Sequence, residues 1–163
     1  MHLLRPLSLL GATLTMGLIT GVFALYAHTI MPGLKTTDDR TFVAAFGAMD
    51  RAIINPWFMI SAFLGALLLT STAALTNLGR DPLPWIAAAL GLYVIVVVIT
   101  LAVNVPLNDA LKAAGVPERS AGVAAVREGF HEARWAAWNL VRVVLSVGAF
   151  MALCWALVIS DRT

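Results

Sequence analysis

Four long stretches of this chain contain almost no charged side chains, and this feature limits the possible fold more than any other. No Asp, Glu, Lys or Arg occurs in residues 6–34, 52–79 or 82–108, and residues 135–160 contain only Arg142. A helix needs about 20 largely apolar residues to cross the ~30 Å hydrocarbon core of a bilayer. Each stretch is long enough, so the sequence predicts an integral membrane protein with four membrane-spanning segments.

The spanning segments are predicted to be helices. Only helices and closed barrels satisfy every backbone polar group in lipid, and barrel strands would alternate apolar and polar residues. We therefore predict an all-α fold, a four-helix transmembrane bundle forming one membrane domain over residues 1–163. The first apolar run is about twice as long as that of a secretory signal, so we expect it to be retained. The predicted spans are residues 7–31, 56–78, 83–105 and 135–159.

Composition agrees with lipid as the solvent and excludes several kinds of function. Hydrophobic residues make up 60% of the chain and charged residues 12%, against about 45–50% and 25% in a soluble domain. The net charge of +2 is too small to predict nucleic-acid binding. A single cysteine, Cys154, excludes an intramolecular disulfide. No nucleotide, flavin or metal motif occurs, so we predict neither a cofactor nor a metal site.

The connections between the spans differ in length. Residues 79–82, Gly-Arg-Asp-Pro, predict a tight turn between the second and third helices. The connections after the first and third helices are longer, and we predict amphipathic helices there that lie on the membrane surface or cap the bundle. In the first of them, Thr37 or Asp38 can cap a helix that runs through Asn55.

The distribution of basic residues predicts the orientation in the membrane. Lys and Arg are more frequent on the side of the two long connections than on the side of the tight turn and the termini. Because basic loops stay in the cytoplasm, the long connections are predicted to be cytoplasmic and both termini external. The predicted location is the bacterial inner membrane.

Polar residues inside a membrane are expensive, so their positions carry information about function. The end of helix 1, the start of helix 2, the end of helix 3 and the start of helix 4 lie on one membrane side. Polar residues at these ends are therefore predicted to converge on one pocket. The catalytic candidates are His28, Asn104, Asn108, His131, Asn139 and Arg142, and the substrate-binding candidates are Tyr26, Asn55, Tyr93, Thr100 and Trp138.

The most informative of these residues is Arg142, and two interpretations are open. It can cap the carbonyls at the end of helix 3 or extend to the lipid headgroups, or it can stabilise a developing oxyanion or bind an anionic ligand. Asn104 and Asn108 flank Pro106, which bends or ends a helix. The two amides either cap that helix end or face a ligand. Trp138 belongs to an aromatic belt or forms a wall for a flat apolar ligand.

His28 and His131 are the candidate general bases, because histidine is the side chain that ordinarily titrates near neutral pH. The alternative is that both are ordinary interfacial histidines. Asp50 lies beside Arg51 on the first long connection. We expect it to form a surface ion pair or a helix cap, with an ion pair to Arg142 as the other option.

Four short strings occur along the chain in a fixed order. They are Met31-Pro32-Gly33-Leu34, Asn55-Pro56, Asn104-Val105-Pro106-Leu107-Asn108 and Trp135-x-x-Trp138-Asn139-x-x-Arg142. In this order and at this spacing they resemble the anthrone oxygenase-like family of small four-helix membrane proteins. The resemblance covers nearly the whole chain.

The resemblance implies a reaction. Named members of the family are described as oxidising an anthrone to an anthraquinone with O2, without metal or flavin. It therefore implies a cofactor-independent oxygenase acting on an anthrone-like or phenolic lipophilic substrate in a membrane pocket. Under this hypothesis His28 or His131 removes the substrate proton. The oxyanion would be held by Arg142 with one of the asparagines Asn104, Asn108 and Asn139.

The alternative is a non-catalytic membrane module that binds a lipophilic small molecule or a partner membrane protein. Relatives often carry histidine directly after the Trp-Asn pair, where this chain has Leu140. A structure in which His28 and His131 both face away from Arg142 would favour this alternative. A transporter or channel is disfavoured, because a chain with four spanning helices would have to oligomerise to form a transport pathway. The predicted partners are membrane lipids and a lipophilic small molecule, with a homo-oligomer as a further option.

Overall fold

The computed structural model describes residues 3–160, and all regular structure within them is helical. The helices are α1 (Leu4–Lys35), α2 (Asp39–Ile53), α3 (Pro56–Thr76), α4 (Leu83–Ala114), α5 (Ser120–Gly129) and α6 (Glu132–Ser160). Helices α1, α3, α4 and α6 are long and apolar enough to cross a membrane. The predicted all-α class, a four-helix bundle with helical connections after the first and third spanning helices, is confirmed.

The spanning helices pack around a core of small side chains. Helix α6 contacts α1 and α4 extensively, and α3 packs mainly on α1. Ala12, Ala66, Ala89 and Ala149 are fully buried where these helices meet. Small residues let helix backbones approach closely, which is how helices associate in lipid without a hydrophobic driving force.

Helices α1 and α4 are longer than the predicted spans. Helix α4 has 32 residues, so it is about 48 Å long and exceeds the ~30 Å hydrocarbon core. It continues through Pro106, so this proline does not end the helix. A π-helical turn, Thr100–Asn104, directly precedes that region. Such a turn changes the backbone hydrogen-bond register, which accommodates a residue that lacks an N–H.

Helices α2 and α5 pack together and cap one end of the bundle. Their shared core is aromatic, and the rings of Phe46 and Phe130 have centroids 4.6 Å apart. Asp38 caps α2 by accepting hydrogen bonds from the Thr41 amide, at 3.0 Å, and from the Thr41 hydroxyl, at 2.7 Å. These bonds favour the carboxylate and lower the pKa of Asp38. Helices α2 and α5 together cover the end of the bundle where the sequence predicts a pocket.

Three π-helical turns lie at this capped end, one in each of α1, α3 and α4. They are Tyr26–Ile30, Met59–Phe63 and Thr100–Asn104. A side chain of a neighbouring helix binds the backbone at one of them. The Tyr93 hydroxyl donates to the Phe63 carbonyl at 2.8 Å. Because π-helical turns are rare and often occur near functional sites, their clustering marks this end of the bundle as the candidate functional end.

Replacing Gly65 by alanine is expected to destabilise the protein, because a Cβ there would overlap the Ile60 carbonyl oxygen in the π-helical turn of α3. The backbone would have to shift, and overpacking of this kind costs about 1–3 kcal/mol. The control is Gly91→Ala in α4, where a Cβ meets nothing within 4 Å. Thermal unfolding in detergent should show a lower midpoint for Gly65→Ala only. Equal midpoints for the two variants would contradict the prediction.

Candidate functional site

A cavity of about 210 Å³ lies at the capped end of the bundle. All three π-helical turns contribute residues to its wall. Most of the lining is apolar and much of it aromatic, including Phe23, Phe46, Phe58, Phe63 and Trp135. The volume is below the roughly 300–1,000 Å³ of sites for drug-sized ligands. The cavity therefore suits a compact and largely apolar molecule.

The cavity opens to the side of the bundle. Ile54, between α2 and α3, and Leu101 on α4 both line it, yet they are 62% and 60% exposed. An opening rimmed by exposed apolar side chains would admit a ligand that partitions into lipid.

Arg142 lies at the inner end of the cavity and is only 4% exposed. Its Nη1 donates to the Thr100 hydroxyl at 3.2 Å, and its Nη2 donates to Asn139 Oδ1 at 2.8 Å. Both acceptors are fixed by other bonds. The Thr100 hydroxyl donates to the Val96 carbonyl, and Asn139 Nδ2 donates to the Phe23 carbonyl. Arg142 is therefore held by side chains, and it neither caps backbone carbonyls nor extends to the surface.

No carboxylate balances the charge of Arg142 within the part of the chain that the structure describes. The guanidinium lies over the Phe23 ring, with Cζ 4.4 Å from the centroid, and 5.6 Å from the Trp135 centroid. Its Nε has no hydrogen-bond partner. A buried cation without a counterion is costly, and aromatic faces compensate only in part. The cavity therefore has a strong preference for negative charge at this end.

A second polar cluster lies beneath α2. We call this end of the cavity its mouth, because Asp109 there is 61% exposed. Asp50 is 7% exposed, and its Oδ1 accepts a hydrogen bond from Asn108 Nδ2 at 2.6 Å. Its Oδ2 is 2.7 Å from Lys112 Nζ, and the same lysine contacts Asp109 at 3.0 Å. The predicted option of an ion pair between Asp50 and Arg142 is not what the structure shows, because Asp50 pairs with Lys112.

Trp135 connects the two clusters. Its indole Nε1 donates to Asn108 Oδ1 at 2.7 Å, while its ring lies near Arg142 and makes an edge contact with Phe46 at 5.5 Å. Arg142 is two turns further along α6. The cavity is thus bipolar, with a cation at the inner end, a carboxylate at the mouth and aromatic walls between them.

The structure brings some of the predicted site residues to the cavity and leaves others outside it. Those that line it are Tyr26, Thr100, Asn108, Asn139 and Arg142.

Four of the remaining predicted residues have structural contacts elsewhere. Asn104 donates to the Trp135 carbonyl at 3.3 Å, and Tyr93 holds the π-helical turn of α3. Asn55 caps α3 by accepting from the Phe58 amide at 2.9 Å. Trp138 lies on the exposed surface of α6.

Neither predicted base lines the cavity. His28 is exposed, and its Nδ1 lies 2.6 Å from the Thr29 hydroxyl. His131 is exposed at the junction of α5 and α6, where it has a positive φ of 52°. The catalytic role of these histidines stays a prediction, and the geometry gives it no support.

The sequence analysis did not name Asp50, Lys112 and Trp135 as site residues and weighed only Asp50, as an ion-pair partner of Arg142, although signals for them exist. Asp50 continues the spacing of Phe42 and Phe46, four residues apart, and so places a carboxylate on the apolar face of α2. Lys112 similarly follows Asn108 by four residues. Predicting the end of the third helix near residue 105 removed Lys112 from the polar stripe to which it belongs.

The polar groups that line the cavity are a guanidinium, an ammonium, amides, hydroxyls and carboxylates. No three His, Cys, Asp or Glu side chains among residues 3–160 form a group that could hold a metal ion. Arg142 and Asn139 could bind an anionic oxygen, while Asn108 and Asp50 offer a donor and an acceptor at the mouth.

Comparison with known families identifies this architecture. A family model described as anthrone oxygenase matches residues 52–152. The chain belongs to the anthrone oxygenase family. Comparison with curated proteins and with solved structures gives no match.

The anthrone oxygenase match covers only part of the cavity. Residues 52–152 include α3, α4, α5 and most of α6, and therefore Arg142 with both of its hydrogen-bond acceptors. Asp50 lies two residues before the matched range, and Tyr26 lies in α1, further away. Arg142, Thr100 and Asn139 thus lie in the part of the chain that matches the anthrone oxygenase family.

Proposed function

We propose that this protein is a cofactor-independent oxygenase that oxidises an anthrone-like or phenolic lipophilic substrate with O2. The observation that carries the proposal is Arg142, a buried cation without a counterion at the inner end of an apolar cavity. Membership of the anthrone oxygenase family supports the substrate class.

The proposed chemistry follows from the acidity of the substrate. An anthrone has a ring methylene that becomes part of a fully aromatic system when it loses a proton, and the negative charge then resides mainly on the former carbonyl oxygen. Arg142 would stabilise this oxyanion in a buried site, where such stabilisation is strongest. The electron-rich anion reduces O2 directly. One oxygen atom becomes the new carbonyl of the anthraquinone, and the other leaves as water with the two methylene hydrogens.

A membrane location suits this reaction. We propose that the four spanning helices place the protein in the bacterial inner membrane with the long connections in the cytoplasm. The lateral opening between Ile54 and Leu101 then faces lipid, where both O2 and a flat apolar substrate concentrate. Membrane lipids and the lipophilic substrate are the proposed partners, and a homo-oligomer stays a prediction.

The test of this function is conversion of an anthrone under air by the detergent-purified protein. O2 uptake and anthraquinone absorbance should rise together, one O2 per quinone, above the rates with boiled protein and with detergent alone. The substitution Arg134→Met, at an exposed residue of α6 outside the cavity, should leave the rate unchanged. Failure to convert any of several anthrones would overturn the oxygenase proposal.

One observation favours the alternative, a non-catalytic module that binds a lipophilic small molecule. Neither His28 nor His131 lines the cavity. If the module is the function, a hydroxyanthraquinone should bind with a spectral shift, and this shift should be lost in Arg142→Met, while no anthrone is consumed.

A further inference from the structure

We infer that Asp50 is the base that removes the carbon-bound proton of the substrate, in place of either histidine. This inference rests on the proposed function and assigns a residue for its first step. It begins from position. Asp50 and Asp109 are the carboxylates that line the cavity. The Asp109 side chain is 61% exposed and that of Asp50 is 10% exposed, so Asp50 is the one shielded from water.

The neighbours of Asp50 hold its carboxylate in a fixed orientation. Trp135 Nε1 donates to the side-chain oxygen Oδ1 of Asn108 at 2.7 Å, so the side-chain NH2 of Asn108 must point away from Trp135 and towards Asp50. Lys112 is 2.7 Å from the other carboxylate oxygen. An ionised carboxylate has about four lone-pair sites. Two are used by these donors, so others remain to accept a proton from a ligand.

Asp50 and Arg142 line the same cavity but form no ion pair with each other, and the substrate class calls for two such separate groups. In an anthrone the acidic methylene and the carbonyl are at opposite positions of the central ring. A site for its deprotonation therefore needs a base at one edge of the ring and a cation at the other. The cavity has this arrangement, because Asp50 lies at the mouth, Arg142 lies at the inner end and no ion pair joins them. A direct ion pair between Asp50 and Arg142 would leave neither group free to act on the substrate.

The proton transfer balances between these two ends. The methylene C–H bond breaks, its electron pair enters the ring system and the negative charge moves to the oxygen held by Arg142. The proton moves to a carboxylate oxygen of Asp50. It then leaves to water at the mouth, where the exposed Asp109 and the half-buried Lys112 lie. Asn108 and Lys112 are positioning residues in this scheme, because they orient the carboxylate.

The test is exchange of the methylene hydrogens for deuterium in D2O under argon, followed by mass spectrometry of recovered anthrone. Asp50→Asn keeps the size and the hydrogen bond to Asn108 but cannot accept the proton as a carboxylate does. We expect the exchange rate to fall about 10²–10⁴-fold, with partial recovery in Asp50→Glu. The matched control is Asp39→Asn, in the same helix, where the carboxylate pairs with Arg127 at 3.0 Å outside the cavity. It should exchange at the wild-type rate, as should His28→Ala and His131→Ala.

Exchange under argon separates this inference from the oxygenase proposal. If the wild type exchanges and Asp50→Asn does not, but the wild type consumes no O2 under air, the oxygenase proposal fails and Asp50 as the base stands. If Asp50→Asn exchanges as fast as the wild type, or a histidine variant loses exchange, the assignment of Asp50 is wrong. No exchange by the wild type above the solvent rate would also overturn it. Binding of a hydroxyanthraquinone to Asp50→Asn checks that the variant is folded.

Discussion

Replacing Arg142 by methionine should lower kcat for anthrone oxidation about 10²–10³-fold while leaving the protein as stable as the wild type or more stable. Loss of one group that stabilises a developing oxyanion has a kinetic effect of this size. The expectation that the variant is not destabilised follows from the burial of Arg142. Arg142 is 4% exposed and has no counterion. Replacing even a buried ion pair by apolar side chains of similar volume is often neutral or stabilising, by about 1–4 kcal/mol, and Arg142 lacks a partner charge that would offset its burial.

The measurements for Arg142→Met are the anthrone oxidation rate and the thermal unfolding midpoint in the same detergent. Arg134→Met serves as the control, since it removes an exposed guanidinium from the same helix. Arg142→Lys refines the interpretation. A lysine keeps the charge but cannot reach Thr100 and Asn139 in the fork geometry of a guanidinium, so we expect it to regain only part of the rate. A variant that unfolds easily, or one that keeps full activity, would contradict the proposed role of Arg142.

The fold was predictable from sequence because lipid imposes a simple constraint. Absence of charge over 20 or more residues indicates a spanning helix whatever its neighbours are. The tight turn at residues 79–82 was equally clear. The three π-helical turns were not predictable, since no residue type marks them. They depend on tertiary bonds such as that from Tyr93 to the Phe63 carbonyl.

The candidate site was predictable only for its inner half. Arg142 and Asn139 attract attention as polar residues within an apolar span. Asp50 does not, because charged residues are common on a surface helix, and only the packing of α2 over the cavity shows that it is buried. Asn104 and Asn108 looked equivalent in sequence. The structure separates them, since Asn104 binds the Trp135 backbone and Asn108 binds Asp50.

The second large effect is expected for Asn139→Leu, which should lower the free energy of unfolding by about 2–4 kcal/mol. Asn139 is fully buried and joins two elements, because it donates to the Phe23 carbonyl and accepts from Arg142. A hydrogen bond to a charged group contributes about 1.5–3 kcal/mol and a neutral one about 1 kcal/mol. The variant would leave the guanidinium with Thr100 as its remaining hydrogen-bond acceptor.

A double-mutant cycle shows which of the two bonds causes the loss. In the Arg142→Met background no buried cation needs the Asn139 oxygen, so Asn139→Leu should cost only about 1 kcal/mol, the contribution of the bond to the Phe23 carbonyl. The coupling energy should therefore be about 1.5–3 kcal/mol, as for residues in direct contact. Any crowding by the leucine side chain would largely cancel, because it is present in both backgrounds. Additive effects within about 0.5 kcal/mol would mean that the buried charge of Arg142 is compensated by a group other than Asn139. The preference of the cavity for an anionic ligand would then be weaker than its geometry indicates.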